Sequence, residues 1–263
     1  MPPEPIRFND GAAYERYMGK WSQLAGDLFL DWLAPRPGWR WLDVGCGSGA
    51  FTEMIVDRCA PIAVHGIDPS EAQLAYARAR LAAAPVAQFR QGDAMAVPFE
   101  DDTFDAAVMP LVIFFVPDPR MGVAEMARVV SPGGSVAAYA WDMPGGGFPY
   151  DALQAEMRAL GVAVPVAPAV DASRLDAMRG LWTGAGLDLV ETRQLTVHRT
   201  FADFDDYWTT ILGGASVGPK LAAMTAEDLA LLKARMRARL PAEATGHITY
   251  SARANAVKGR VAR

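Results

Sequence analysis

Through the first half of the chain, short apolar runs alternate with segments whose apolar residues recur every three or four positions. Arg40–Val44, Ile62–Ile67, Val86–Gln91, Phe104–Met109 and Ser135–Trp141 have the length and composition of buried strands. Phe51–Arg58, Glu71–Ala83 and Asp118–Val130 read as the helices between them. Ser70 stands where the second of these helices needs a cap, and Pro132-Gly133-Gly134 supplies a turn into the fifth strand. Strands that alternate with helices over short links pair in parallel and carry helices on both faces.

The pattern loosens after Trp141. Pro144-Gly145-Gly146-Gly147 breaks the chain, and helices are predicted at Tyr150–Leu160 and Ser173–Ala185 around a proline-rich link, Val162–Ala169. Leu187–Arg199 alternates as a long strand, Phe204–Leu212 and Ala226–Leu240 look helical, and His247–Val257 reads as a last strand. The expected fold class is therefore α/β, a doubly wound, mostly parallel, seven-stranded sheet with helical insertions. Residues 1–263 form a single domain in this reading, and the insertions, 142–172 and 202–245, fall where loops usually cover a site.

Composition narrows the function classes. With 51% hydrophobic and 21% charged residues the chain can bury a sizeable core. A net charge of −5 gives no general attraction to nucleic acid. The basic run Lys233, Arg235, Arg237 and Arg239 reads as a solvated helix face. Two cysteines, Cys46 and Cys59, suggest neither a disulfide framework nor a zinc site. The opening residues lack a basic stretch leading into an apolar one, so no signal peptide is expected. The longest apolar stretch, residues 109–117, is too short to insert in a membrane. A soluble, cytoplasmic protein is the expectation.

The candidate chemistry lies at the predicted strand ends. Leu42-Asp43-Val44-Gly45-Cys46-Gly47-Ser48-Gly49 runs a buried strand into three alternate glycines and directly into a helix. Such a turn lets a ligand approach the backbone, and the helix start offers unpaired N–H groups. The spacing is G-x-G-x-G, and the last glycine of a dinucleotide-type G-x-G-x-x-G would fall at Ala50. Asp68 ends the second strand, 19 residues after Gly49. A carboxylate there can accept from both hydroxyls of a ribose bound over the first turn. Gly92-Asp93-Ala94 ends the third strand, where a carboxylate beside a backbone N–H suits an adenine edge. The apolar end of the fourth strand, Met109-Pro110-Leu111-Val112, faces the same crevice.

This series resembles the class I S-adenosylmethionine-dependent methyltransferases, in particular the ubiquinone/menaquinone-biosynthesis-type branch of small-molecule enzymes. Val97-Pro98-Phe99-Glu100-Asp101-Asp102-Thr103-Phe104-Asp105 is similar to that family's link into its fourth strand. Arg128-Val129-Val130-Ser131-Pro132-Gly133-Gly134 is similar to its helix-to-strand turn. The resemblance covers about residues 40–141. It implies S-adenosyl-L-methionine as cofactor, S-adenosyl-L-homocysteine as product, and a cofactor-binding core over 35–141. It implies cofactor contacts at Tyr17, Asp43, Gly45, Cys46, Gly47, Asp68, Pro69, Gln73, Gly92, Asp93, Ala94, Met109 and Pro110. A lid is implied over 11–34, where Tyr14, Tyr17, Met18 and Trp21 share one helical face. Core packing explains that face equally well.

The acceptor is expected outside the strand ends, walled by Phe114, Phe115, Trp141, Phe148, Tyr207, Trp208 and Ile211, which points to a small apolar or aromatic molecule. No catalytic residue stands out. His65, His198 and His247 read as structural, and Asp142, at a strand end, is the one carboxylate placed as a candidate base. A nucleic-acid methyltransferase is disfavoured, because Met109-Pro110-Leu111-Val112 stands where base-amino enzymes carry an Asn/Asp-Pro-Pro-aromatic tetrapeptide, and neither cysteine suits a C5 nucleophile. The glycine spacing and Asp93 argue against an NAD-type oxidoreductase. A non-catalytic S-adenosylmethionine-binding module and pairing into a homodimer stay open.

Overall fold

In the computed structural model, seven strands form one sheet in the order β3-β2-β1-β4-β5-β7-β6. The structure describes residues 15–214, 217–240 and 242–263, with backbone alone for Glu15 and Arg16. Strands β1 (Arg40–Val44), β2 (Ala63–Asp68), β3 (Ala87–Gln91), β4 (Phe104–Pro110) and β5 (Val130–Trp141) pair in parallel. β7 (Ile248–Arg260) is antiparallel to both β5 and β6 (Asp188–Phe201). The predicted doubly wound, mostly parallel sheet is thus the observed one.

Helices cover both faces, with a core on each. On one face α1 (Lys20–Leu33) and α2 (Ala50–Cys59) bury Trp21, Phe29, Leu30, Phe51 and Ile55 against Trp41, Tyr139 and Trp141 of the sheet. On the other, α4 (Pro119–Val129) and α6 (Leu175–Gly184) bury Val123, Met126, Met178 and Trp182 against Leu42, Val44 and Val136. The Trp182 indole N–H donates to the Val136 carbonyl at 2.9 Å, so even this large ring leaves no polar atom unmet. Central strands buried on both faces read as continuous apolar runs, which is why β1, β4 and β5 were plain in the sequence.

Caps set the helix starts. Ser70 accepts from Gln73 N–H ahead of α3 (Glu71–Arg80), which stops three residues short of the predicted Ala83. Asp118 accepts from two N–H groups ahead of Pro119, whose missing donor costs nothing at that position. β5 begins at Val130 instead of after the Pro-Gly-Gly turn. The strand bulges there, with a register shift opposite Phe104 and Ala106 and a φ of +78° at Gly133.

Ala167 and Ala172, at the end of the first insertion, pack in the second core, whereas the insertion helices fold onto the first face. They comprise α5 (Asp151–Ala159), α7 (Phe204–Leu212), α8 (Gly218–Ala222) and α9 (Ala226–Arg239). α8 has no counterpart in the predicted elements. The two insertions meet through Glu156, which accepts from Arg239 at 2.6 Å and Arg235 at 3.2 Å. Lys233 and Arg237 likewise pair with Asp205. The basic run therefore ties one insertion helix to its neighbours, which local periodicity could not reveal.

Candidate functional site

The carboxyl ends of β1, β2 and β3 are stitched together by hydrogen bonds. Gly45 N–H and Cys46 N–H both donate to the Ile67 carbonyl, at 2.8 and 3.0 Å, and Gly92 N–H donates to the Asp68 carbonyl at 3.2 Å. Asp68 is the centre of this seam. One carboxylate oxygen accepts from Gly47 N–H at 3.0 Å and the other from Ser70 N–H at 2.9 Å. It thus holds the glycine turn and the entry to α3 together, and each oxygen keeps a lone pair for a further donor. Burial raises its pKa, against the lowering effect of those two bonds.

Gly45, Gly47 and Gly49 all have positive φ, at 72°, 52° and 79°. They face different surroundings. A Cβ on Gly45 would lie 2.6 Å from Val112, so this glycine lets the end of β4 close against the turn. A Cβ on Gly47 would meet only Gln73 Oε1 at 3.9 Å, so the space over Gly47 is open. The Cys46 side chain is buried against Gly66, leaving its backbone as the part that lines the turn.

Asp43 lies beneath the turn, fully buried. Its Oδ2 accepts from the Thr52 hydroxyl at 2.6 Å, while Oδ1 has no partner among the described residues. Burial drives its pKa up to about 7, the Thr52 bond opposes this, and Asp68 adds to it. A buried carboxylate oxygen with no donor is costly, and a cationic ligand group in the turn would satisfy it. Open space over Gly47, acceptor oxygens at Asp68 and an unmet acceptor at Asp43 fit the ribose and ammonium of S-adenosylmethionine.

The other predicted residues are spread along the same edge. Asp93 is exposed and accepts from Met95 N–H at 2.8 Å. Gly92 packs near Pro98, and the Pro69 carbonyl accepts from the Gln91 amide at 2.9 Å. Gln73 is buried beside the turn. Ala94 is half-buried, and its carbonyl lies near Gly122. Met109 and Pro110 are buried at the end of β4, with the Met109 side chain in the second core. Leu111, one residue on, has φ +61° and donates to the Tyr139 carbonyl at 2.7 Å. A branched residue held in the left-handed region marks a strained turn next to a site, and nothing in the sequence signalled it.

Tyr17 lies among the insertions. Its ring stacks on Tyr150 with centroids 4.0 Å apart and packs against Gly214, and the Tyr150 hydroxyl donates to the Tyr17 carbonyl at 2.8 Å. Those neighbours come from the two insertions. Met18 and Trp21 are buried in the same core. Tyr14 and the start of the 11–34 region lie outside the described residues. The residues expected to wall an acceptor also divide. Trp141, Phe148, Tyr207, Trp208 and Ile211 share the first core, whereas Phe114 and Phe115 belong to the second.

Asp142 is committed to structure. Oδ2 accepts from Arg253 at 2.7 and 3.0 Å and Oδ1 from Gly145 N–H at 3.2 Å, which closes the glycine loop after β5. His65 is half-buried, edge-on to Phe99 and Phe104, with its pKa lowered by burial and then by Arg90. His198 and His247 are exposed. No group of three or more metal-ligating side chains occurs among the described residues, and none of their helices is long and apolar enough to cross a membrane.

Residues 42–138 match a family described as a methyltransferase domain. The ubiquinone/menaquinone biosynthesis C-methyltransferase of Ruegeria sp. is 36% identical over 135 residues, 49% of this chain and 51% of that protein. The 2-phytyl-1,4-naphtoquinone methyltransferase of Synechococcus elongatus is 38% identical over 121 residues, 44% of this chain and 50% of that protein. The chain thus spans about half the length of these curated relatives. The Haemonchus contortus phosphoethanolamine N-methyltransferase 2, solved with S-adenosyl-L-methionine, superposes with a TM-score of 0.60 at 18% identity, over 95% of this chain and 56% of that one. Its likeness lies in the fold. The matched segment runs from within β1 into β5 and carries the glycine turn, Asp68 and Asp93, so this stretch of the chain is similar to a methyltransferase domain.

Proposed function

We propose that this chain transfers a methyl group from S-adenosylmethionine to a small apolar or aromatic molecule by in-line displacement, in the cytoplasm. The observation that carries the reading is the open turn at Gly47, fixed by Asp68 and lying over the unpaired Oδ1 of Asp43. When bound, the cofactor supplies an electrophilic methyl on a sulfonium, which already has a good leaving group. In this reading Gly45, Cys46 and Gly47 line its carboxypropyl arm with backbone, and Asp43 meets the ammonium. Asp68 accepts from the ribose hydroxyls, with Pro69 and Gln73 beside it. Gly92, Asp93 and Ala94 border the adenine, and Met109 and Pro110 wall the reacting end. Tyr17 closes the site from the acceptor side. The chain's task is then alignment and exclusion of water. Asp142 is engaged by Arg253 and Gly145, and this reading gives it no part as a base.

Two measurements test the proposal. Calorimetry with S-adenosylhomocysteine should give saturable, one-to-one binding. Methyl-labelled S-adenosylmethionine incubated with protein and a small-molecule extract should yield label in an organic-soluble product. Absence of binding overturns the reading. Binding without any transferred label replaces it with a non-catalytic S-adenosylmethionine-binding module.

A further inference from the structure

β6 and β7 continue past the end of β5. Trp141 pairs with Ala254, so Thr196–Phe201 and Ile248–Arg253 form a two-stranded ribbon beyond it, over the same carboxyl edge as the glycine turn. Cross-strand partners share a face, and here Val197 and Ala252, Arg199 and Tyr250, and Phe201 and Ile248 are such pairs. That face joins the core containing Tyr17, Trp21, Tyr150, Tyr207 and, toward the cofactor side, Phe51 and Leu111.

Arg199 is chemically out of place there. Its guanidinium lies over the Phe201 ring at 4.3 Å and within 6.0 Å of Trp21. Its Nη1 is buried and donates to no described residue, and the hydroxyls of Tyr17 and Tyr250 are buried and unpartnered too. With the Trp21 indole N–H, four of the six buried side-chain polar atoms without a partner among the described residues are in this one cluster. Ring faces offset part of the cost of burying a cation, but a cation without a counter-charge remains unfavourable. The tyrosines that feel its charge cannot supply one. Burial raises the pKa of Tyr250 and lifts that of Tyr150 to about 12, so both are neutral donors.

We propose that Arg199, with the Tyr17 and Tyr250 hydroxyls, is the anchor for a carboxylate on the methyl acceptor, which is an aromatic acid. The inference rests on the methyltransferase function proposed above. A carboxylate offers several lone pairs to such donors, and the guanidinium edge matches its planar geometry. The surrounding rings suit a flat apolar body attached to it.

The test compares benzoate, 4-hydroxybenzoate and 1-naphthoate with their carboxamides, by calorimetry on the whole protein saturated with S-adenosylhomocysteine. At least one acid should bind about tenfold or more tightly than its amide. Arg199→Met should erase that preference, Arg199→Lys should weaken it, and Tyr250→Phe should reduce it. Free of ligand, Arg199→Met should melt no lower than the wild type, because it removes an unpartnered buried N–H from a half-buried guanidinium while keeping the volume. Acids and amides binding alike, no acid binding at all, a preference that survives Arg199→Met, or a variant that melts lower would each overturn the anchor. S-adenosylhomocysteine binding to the wild type separates the two readings. Its loss defeats the methyltransferase proposal, whereas its presence without any acid preference defeats the carboxylate anchor alone.

Discussion

At the β1–β3 end of the carboxyl edge the chain turns on glycines and short carboxylates, and its polar atoms are largely tied to backbone. Asp68 has both oxygens engaged by N–H groups of neighbouring loops, and the Ile67 carbonyl accepts two N–H groups. At the β6–β7 end the surface is built from large rings contributed by separate segments, and the Tyr17 and Tyr250 hydroxyls and Arg199 Nη1 are left without partners among the described residues. The first arrangement is rigid and contiguous, suited to one invariant ligand. The second draws Tyr17, Tyr150, Arg199 and Tyr250 from four separate segments of the chain. In the proposed reading, the first end serves the methyl donor and the second the acceptor.

The sharpest way to break the comparison is Gly47→Val. A branched side chain at φ +52° is strained, and it would fill the open space over the turn. S-adenosylhomocysteine affinity should fall about a hundredfold or more by calorimetry. Near-unchanged affinity would mean that the turn is packing and not a cradle. Asp68→Ala should come next. Its loss leaves ligand hydroxyls and the Gly47 N–H unpaired, at about 1–3 kcal/mol per unmet group. Both cofactor affinity and melting temperature should drop. A lower melting temperature with cofactor affinity within about twofold of wild type would make Asp68 a loop staple only.

These two regions were also unequally legible in the sequence. Around β1–β3 each site residue sits at a strand end within a continuous local pattern, so length and spacing alone put Gly45, Gly47, Asp68 and Asp93 on one edge. The acceptor side depends on which distant segments meet. Nothing local shows that Tyr17 stacks on Tyr150, or that Asp142 is held by Arg253. One signal was available. Val197, Arg199 and Phe201 alternate along a strand, which places an arginine on an apolar face, and that anomaly marks the cluster without naming its partners. The strain at Leu111 and the open Oδ1 of Asp43 are three-dimensional facts and had no sequence signature.

Within the acceptor region, Tyr150→Phe sharpens the contrast. The ring stack on Tyr17 is kept, and only the hydrogen bond to the Tyr17 carbonyl is lost. A buried carbonyl left unmet should lower unfolding free energy by about 1–2 kcal/mol in denaturant titrations. Cofactor affinity should change far less than in Asp68→Ala. An equal loss of cofactor affinity would show that Tyr17 and the glycine turn act as one site.

The smallest effect is a dependence on pH, and it tests Asp43 directly. Its pKa is about 7 in the folded chain against 3.8 in the reference state. The folded state therefore holds more protons than the unfolded one between those values, and the stability this group contributes falls as pH rises through that window. A ligand ammonium beside Oδ1 favours the ionised form instead, so binding below about pH 7 must expel a proton. S-adenosylhomocysteine affinity should then rise with pH, by at most about tenfold per unit, and level off above about pH 7. Asp43→Asn keeps an acceptor for Thr52, removes the titration, and should flatten both the affinity and the stability profiles. Calorimetry between about pH 5.5 and 8, in buffers of different ionisation enthalpy, reads the proton release itself. A wild-type profile already flat across that range would mean that Asp43 stays ionised without the ligand, and that its open oxygen is not the contact holding the ammonium.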